Sequence, residues 1–283
     1  MLTGRKLLIC CEGGFGNRFN SLISGLALAI KLNYKPIVYW PKKNACRASF
    51  DSLFTDFVEF TEIKPELENC CNIFHMPYLG IANFHSLNTI SSFSKIKELA
   101  KEQDVSFLCC SIPGFIINEL GKDLEITKEM IQFKHSIVEK AQEIISKNTS
   151  EKYYGMHLRK TDFQSRLSSD NLEISFKRLV NANPDKKYFI CSDDEVTEKQ
   201  LCEYDNVFRF DKTSYVEKYK DQSPWRGNLK HEDGYDISFN IERDQQSVVE
   251  AIIDLIILSR SNMLCRNTGS TFLDVAHLMK GCF

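Results

Sequence analysis

The sequence predicts an α/β protein built from two doubly wound, Rossmann-like domains facing each other across a cleft. Three observations carry this. Short apolar runs alternate with segments of helical spacing in both halves, a polar stretch separates the halves, and glycine-rich or acidic turns follow several of the apolar runs. The chain has 283 residues, room for two medium domains, which we place at 1–150 and 151–283.

In the first half, residues 6–11 form an apolar run suited to a buried parallel strand. Gly13-Gly14-Phe15-Gly16 is a turn, after which Phe19, Leu22, Ile23, Leu26 and Ile30 recur at helical spacing. Residues 36–40 are the next strand, completing a β-α-β unit whose crossover is expected to be right-handed. From about 42 to 148 the pattern is less regular: a strand is predicted at 105–110 and one long amphipathic helix at 127–147. Residues 147–152 read as a linker. In the second half, strands are predicted at 153–158, 188–191, 207–210 and 262–265. Helices are predicted at 172–180, 196–204, 245–259 and 271–279. Residues 211–240 read as a polar loop long enough to be functional.

Composition narrows the class. Hydrophobic residues make up 43% and charged residues 26%, which excludes a disordered or fibrous chain. The net charge is −2, so neither nucleic acid nor a membrane surface is an expected partner. The apolar stretch 19–30 is shorter than the roughly 20 residues of a spanning helix, and residues 7–11 are too short for a signal-peptide core. A soluble, cytoplasmic protein is therefore expected. Eleven cysteines, an odd number with three adjacent pairs and no Cys-x-x-Cys, fit buried thiols in a reducing compartment better than disulfides or zinc.

Ligands of open α/β sheets bind at the carboxyl ends of the strands. Four such ends carry unusual polar residues. Gly13-Gly14-Phe15-Gly16-Asn17-Arg18 departs from the dinucleotide fingerprint, yet it offers backbone N–H groups at a helix start to an anion, unless it is merely a tight turn. Alternation along the next strand puts His157 and Arg159 on one face, suited to a phosphorylated ligand, or else to an Arg159–Asp162 pair. Asp193 and Asp194 fit three roles: acceptors for a nucleotide, a metal pair, or a helix N-cap. Thr268, Ser270 and Thr271 open the last helix and suit phosphate binding or ordinary capping. Asp162, Glu195, Asp233, Asp236 and Glu242 are candidate bases, among which the sequence does not choose.

The runs Gly14–Arg18, Gly155–Asp162, Phe189–Asp194 and Thr268–Phe272 resemble the sequential motifs of the fucosyltransferase superfamily, with the α-1,6 and nodulation branch the most similar through its HxRxTD and SDD spellings. The resemblance implies a GT-B fold, GDP-β-L-fucose as donor, inversion at the anomeric carbon, no metal, and a glycan or lipid-linked oligosaccharide as acceptor. It implies that Arg159 contacts the β-phosphate, that His157 lies near the guanosine and phosphates, and that Asp193 and Asp194 cover the guanine-ribose end. Ser270 and Thr271 would hold phosphate or fucose, with Thr268 and Phe272 in the same motif, and Asn17 would reach the donor from the first domain beside Gly14, Phe15, Gly16 and Arg18. Arg159 and Asn17 are the expected catalytic residues. The α-1,6 enzymes carry Lys and Glu where this chain has Phe163 and Leu167, so the base of that branch has no counterpart here. Another GDP-sugar, or a noncatalytic sugar-nucleotide or carbohydrate binder of the same fold, is the alternative.

Overall fold

The computed structural model describes residues 4–67, 69–75, 84–160, 169–224, 226–230, 232, 234, 236–265 and 271–280. The chain divides into two compact units, one of Met1–Lys43 and Ser49–Lys134, the other of Asn44–Ala48 and His135–Gly281.

The first unit runs β1 (Lys6–Cys10), α1 (Phe15–Leu32), β2 (Lys35–Tyr39), α2 (Phe50–Leu53), β3 (Phe60–Thr61), β4 (Cys70–Phe74), β5 (His85–Ser86), α3 (Phe93–Leu99), β6 (Asp104–Leu108), α4 (Gly114–Glu119) and α5 (Gly121–Met130). Its strands form one parallel sheet in the order β3-β2-β1-β6-β4-β5. The apolar runs of β1 and β6 are buried at its centre. α1 ends where Asn33 adopts a left-handed conformation, φ 60°, and its N–H caps the Ala29 and Ile30 carbonyls.

The second unit holds α6 (His135–Asn148), β7 (Tyr153–Leu158), α7 (Ser169–Ala182), β8 (Lys187–Ser192), α8 (Glu195–Leu201), β9 (Val207–Phe208), β10 (Arg226–Lys230), β11 (Asp236–Phe239), α9 (Gln245–Arg260), β12 (Met263–Cys265) and α10 (Thr271–Leu278). Four of its strands make a parallel sheet ordered β12-β7-β8-β9. Met156 and Leu158 point to one face, where they pack with Phe176 and Val180 of α7 and Leu201 of α8. Gly155 points to the other. A Cβ there would lie 2.9 Å from the side chains of Leu258 and Ser261, so glycine is what lets α9 lie close against the sheet.

Three expectations need correction. The predicted helix at 127–147 is two helices, broken at 131–134. Phe133 bridges to Phe54, Thr55 N–H donates to the Gln132 carbonyl at 2.9 Å, and Lys134 N–H donates to the Leu53 carbonyl at 2.9 Å. The Phe133 ring lies 4.9 Å from that of Phe54 and stacks on Phe19 at 6.1 Å, so aromatic packing and backbone pairing override the helical pattern. The unit boundary falls at this break rather than at 150, because α6 packs on α9 of the second unit. Finally, the stretch at 211–240 is not all loop: β10 and β11 pair within it as an antiparallel hairpin.

Phe133→Ala should remove about 3–5 kcal/mol of stability, the usual cost of emptying a buried aromatic site. Urea unfolding followed by near-ultraviolet dichroism reads this as a lower midpoint; a wild-type midpoint would refute the aromatic anchor.

Candidate functional site

In the second sheet the chain steps from β7 to β8 to β9 on one side of β7 and returns to β12 on the other. The strand order reverses between β7 and β12, which is where doubly wound sheets bind ligands. His157, Arg159, Asp193, Asp194, Thr271 and Phe272 are all at this carboxyl edge.

His157 is buried, opposite Cys191 in the register, and its ring stacks on Phe272 of α10 with centroids 4.6 Å apart. Burial first, and then the charges of Arg159, Lys212 and Arg243, push its pKa down to about 3. The imidazole is neutral. Lys212 is itself held by carboxylates, and the guanidinium of Arg159 at the strand end is a group of the kind that suits a diphosphate.

The half-buried Arg159 directly follows β7. The peptide after it is pinned, because Lys160 N–H donates to Asp193 Oδ1 at 2.7 Å. Lys160 Nζ donates to Glu173 at 2.6 Å. Asp194 is the N-cap of α8; its Oδ2 accepts from Thr197 N–H at 2.9 Å and from Thr197 Oγ1 at 2.6 Å. Of the three roles read for the acidic pair, capping is therefore filled by Asp194, while Asp193 staples the end of β8 to that of β7. Thr271 is the first residue of α10. Thr268, Ser270, Asp162 and Asp233 lie outside the described residues.

The first sheet reverses order between β1 and β6. Gly13 has φ +79°, a left-handed conformation that calls for glycine, and Gly14 caps α1 with no side chain over the helix start. No acidic residue occupies the first turn, and Gly14, Gly16 and Asn17 are half-buried. The first N–H groups of α1 are therefore covered by no capping side chain.

Two residues of the expected cradle turn inward. Arg18 is fully buried; its Nε donates to the Gly13 carbonyl at 2.7 Å, one terminal nitrogen donates to the Pro41 carbonyl at 2.8 Å, and its guanidinium lies 5.0 Å from the Trp40 ring centroid. The Phe15 side chain joins Phe19, Trp40, Phe54 and Phe133 in the aromatic core. Both residues shape the loop and have no side-chain surface to offer a ligand.

Two features escaped the sequence reading. Glu12, buried at the end of β1, pairs with Lys43 at 3.0 Å, and together with burial it pushes the Tyr39 hydroxyl up to about 12. An acid between an apolar strand and Gly-Gly was the available signal. The second is a buried ion cluster beneath the end of β8: Lys212 donates to Glu198, to Asp254 Oδ2 at 2.9 Å and to the Ser192 carbonyl at 2.7 Å. Burial disfavours the Lys212 charge, yet Asp254 and Glu198 outweigh it and raise the pKa; burial pushes the Asp254 carboxyl up against the pull of Lys212. Acids at 250 and 254 within an otherwise apolar helix were the signal. Of the candidate bases, Glu195 pairs with Lys199 at 2.7 Å and Glu242 with Arg47, while Asp236 begins β11.

No family profile matches the sequence, and neither does any curated protein sequence. Solved structures do match in fold. A NodZ α-1,6-fucosyltransferase co-crystallised with GDP is 15% identical, with 98% of this chain and 93% of that one covered and a TM-score of 0.59. Fucosyltransferase NodZ from Bradyrhizobium is 16% identical over 98% and 94%, with a TM-score of 0.60. POFUT1 in complex with GDP is 15% identical over 99% and 95%, with a TM-score of 0.51. The chain shares the fold of these GT-B fucosyltransferases, and the resemblance of its motifs agrees with it.

The neutral imidazole makes a prediction. An unfolded histidine takes up a proton below about 6.5, whereas folded His157 does so only near 3. Its contribution to stability is therefore complete above the unfolded value and is lost as pH falls toward the folded one. His157→Gln should flatten the acid limb of the stability profile in that window. A mutant profile parallel to that of wild type would contradict the assignment.

Proposed function

We propose that this chain is a glycosyltransferase that moves L-fucose from GDP-β-L-fucose to a glycan or lipid-linked oligosaccharide, with inversion and without a metal. The observation that carries the reading is the place of Arg159, which follows β7 at the switch point of the second sheet beside a neutral, buried His157. The shared fold supports it, since NodZ structures are known with GDP and soaked with GDP-fucose. In this reading the second unit binds the donor and the first serves the acceptor.

The chemistry follows from charge. As the anomeric carbon leaves the β-phosphate, negative charge gathers on the phosphate oxygens. Arg159 stabilises that charge more than it stabilises the intact donor, so it acts on turnover. In this reading the start of α10 at Thr271 offers a neutral donor to the sugar diphosphate. Asp193 and Asp194, half-buried at the end of β8, keep acceptor capacity for the guanosine. A transition state with oxocarbenium character asks little of a base. Among the described residues no helix is long and apolar enough to cross a membrane. Cys10, Cys109 and Cys110 are buried thiols with pKa values pushed up by burial, to about 11, 12 and 11, as suits a cytoplasmic protein.

Two measurements test the reading. GDP should bind in calorimetry with EDTA present; binding that appears only on adding Mg²⁺ or Mn²⁺ would restore the metal role of Asp193 and Asp194. Arg159→Ala should lower GDP release from GDP-fucose roughly 10²- to 10³-fold, the usual loss for removing one charge-stabilising donor. Arg159→Lys should recover only part of that, because an ammonium lacks the guanidinium fork. An alanine variant with normal turnover per folded molecule would exclude the phosphate role.

A further inference from the structure

The buried cluster around Lys212 lies below the donor edge, and none of its members is used in the reaction above. Lys212 is almost fully buried, and its three N–H bonds have three acceptors: the Ser192 carbonyl, Glu198 Oε1 and Asp254 Oδ2. Glu198, also buried, accepts from Ser192 N–H through Oε1 and from the Tyr215 hydroxyl at 2.6 Å through Oε2. The cluster thus grips both backbone groups of Ser192, the last residue of β8.

The Ser192 hydroxyl continues the chain. It donates to the Leu158 carbonyl at 2.6 Å and accepts from Asp194 N–H at 3.1 Å. The next residue, Asp193, accepts from Lys160 N–H. Leu158 and Lys160 flank Arg159. The ammonium of Lys212 is thus tied to both peptides around Arg159, to one by the Ser192 hydroxyl and to the other by the side chain of Asp193, the residue bonded to Ser192 along the backbone.

We infer that Lys212 and Ser192 are positioning residues that set the backbone at Arg159, and through it the aim of the guanidinium. The inference rests on the donor reading given above. A misplaced guanidinium still attracts GDP but meets the breaking bond poorly, so the loss belongs in turnover rather than in nucleotide affinity.

Ser192→Thr and Ser192→Val form the decisive pair, because they fill the same volume and differ in the hydroxyl. S192V should turn over GDP-fucose about tenfold or more slowly than S192T, with GDP affinities within about threefold of each other, the pattern of lost geometry rather than lost binding. Lys212→Met should shift in the same direction per folded molecule. Amide hydrogen exchange adds a readout that needs no nucleotide: the Lys160 amide should exchange faster in S192V and K212M than in S192T. Equal turnover in S192V and S192T, an unchanged Lys160 exchange rate, or a loss that appears wholly as weaker GDP binding would each overturn the inference. Wild-type protein that neither binds GDP nor releases it from GDP-fucose, while Lys160 still exchanges faster in S192V, would instead overturn the donor reading and the functional half of this inference with it, leaving only the backbone clamp.

Discussion

A parallel sheet ends in amide and carbonyl groups that no further strand pairs, and a buried group of that kind must find a partner or cost free energy. Both units of this protein meet the demand with side chains. In the second, Glu198 and Lys212 take the two backbone groups of Ser192, and Asp193 takes the amide of Lys160. In the first, Ser21 Oγ of α1 accepts from Cys109 N–H at 2.7 Å, Asn20 donates to the Cys110 carbonyl at 2.9 Å, and Arg18 holds the carbonyls of Gly13 and Pro41. The strand ends are stiffened from beneath, while the start of α1 carries no side-chain cap.

The two units answer the same need with different charge. The first uses neutral groups from α1 and one arginine whose guanidinium also lies over Trp40. The second buries an ammonium between two carboxylates, an arrangement that gains little net stability because desolvation offsets much of the attraction, yet is costly to break on one side. Burial keeps the His157 ring neutral, and the charges of Arg159, Lys212 and Arg243 act in the same direction. Structural closure of β8 and the electrostatics around His157 are therefore linked through Lys212.

Legibility followed the range of the forces involved. The strands β1, β2, β7 and β8 were readable because each is a short buried run with a polar stop. The placement of His157 followed from period-2 alternation, since the structure puts Gly155 and His157 on the α9–α10 face, away from Met156 and Leu158. The helix break at 131–134 was not readable. Its apolar spacing is helical, and only Phe54 and Leu53, some 80 residues earlier, compete for that backbone. The hairpin at 226–239 was hidden for a similar reason, since its composition is that of a loop and pairing alone makes it a sheet.

The sequence by itself determined the α/β class, the order of the strands that carry the site, and the residue types at their carboxyl ends, because those depend on local periodicity and on turn chemistry that neighbours along the chain enforce. Only the tertiary structure decided which of those residues are buried and which stay accessible. Arg18 and Asn17 are adjacent on one helix, yet Arg18 is fully buried with two of its nitrogens on the Gly13 and Pro41 carbonyls, and Asn17 stays half-exposed. Lys212, Glu198 and Asp254 are scattered over more than 50 positions and carry no shared motif. Burial makes them a unit, since an ammonium taken out of water requires acceptors wherever in the chain they arise.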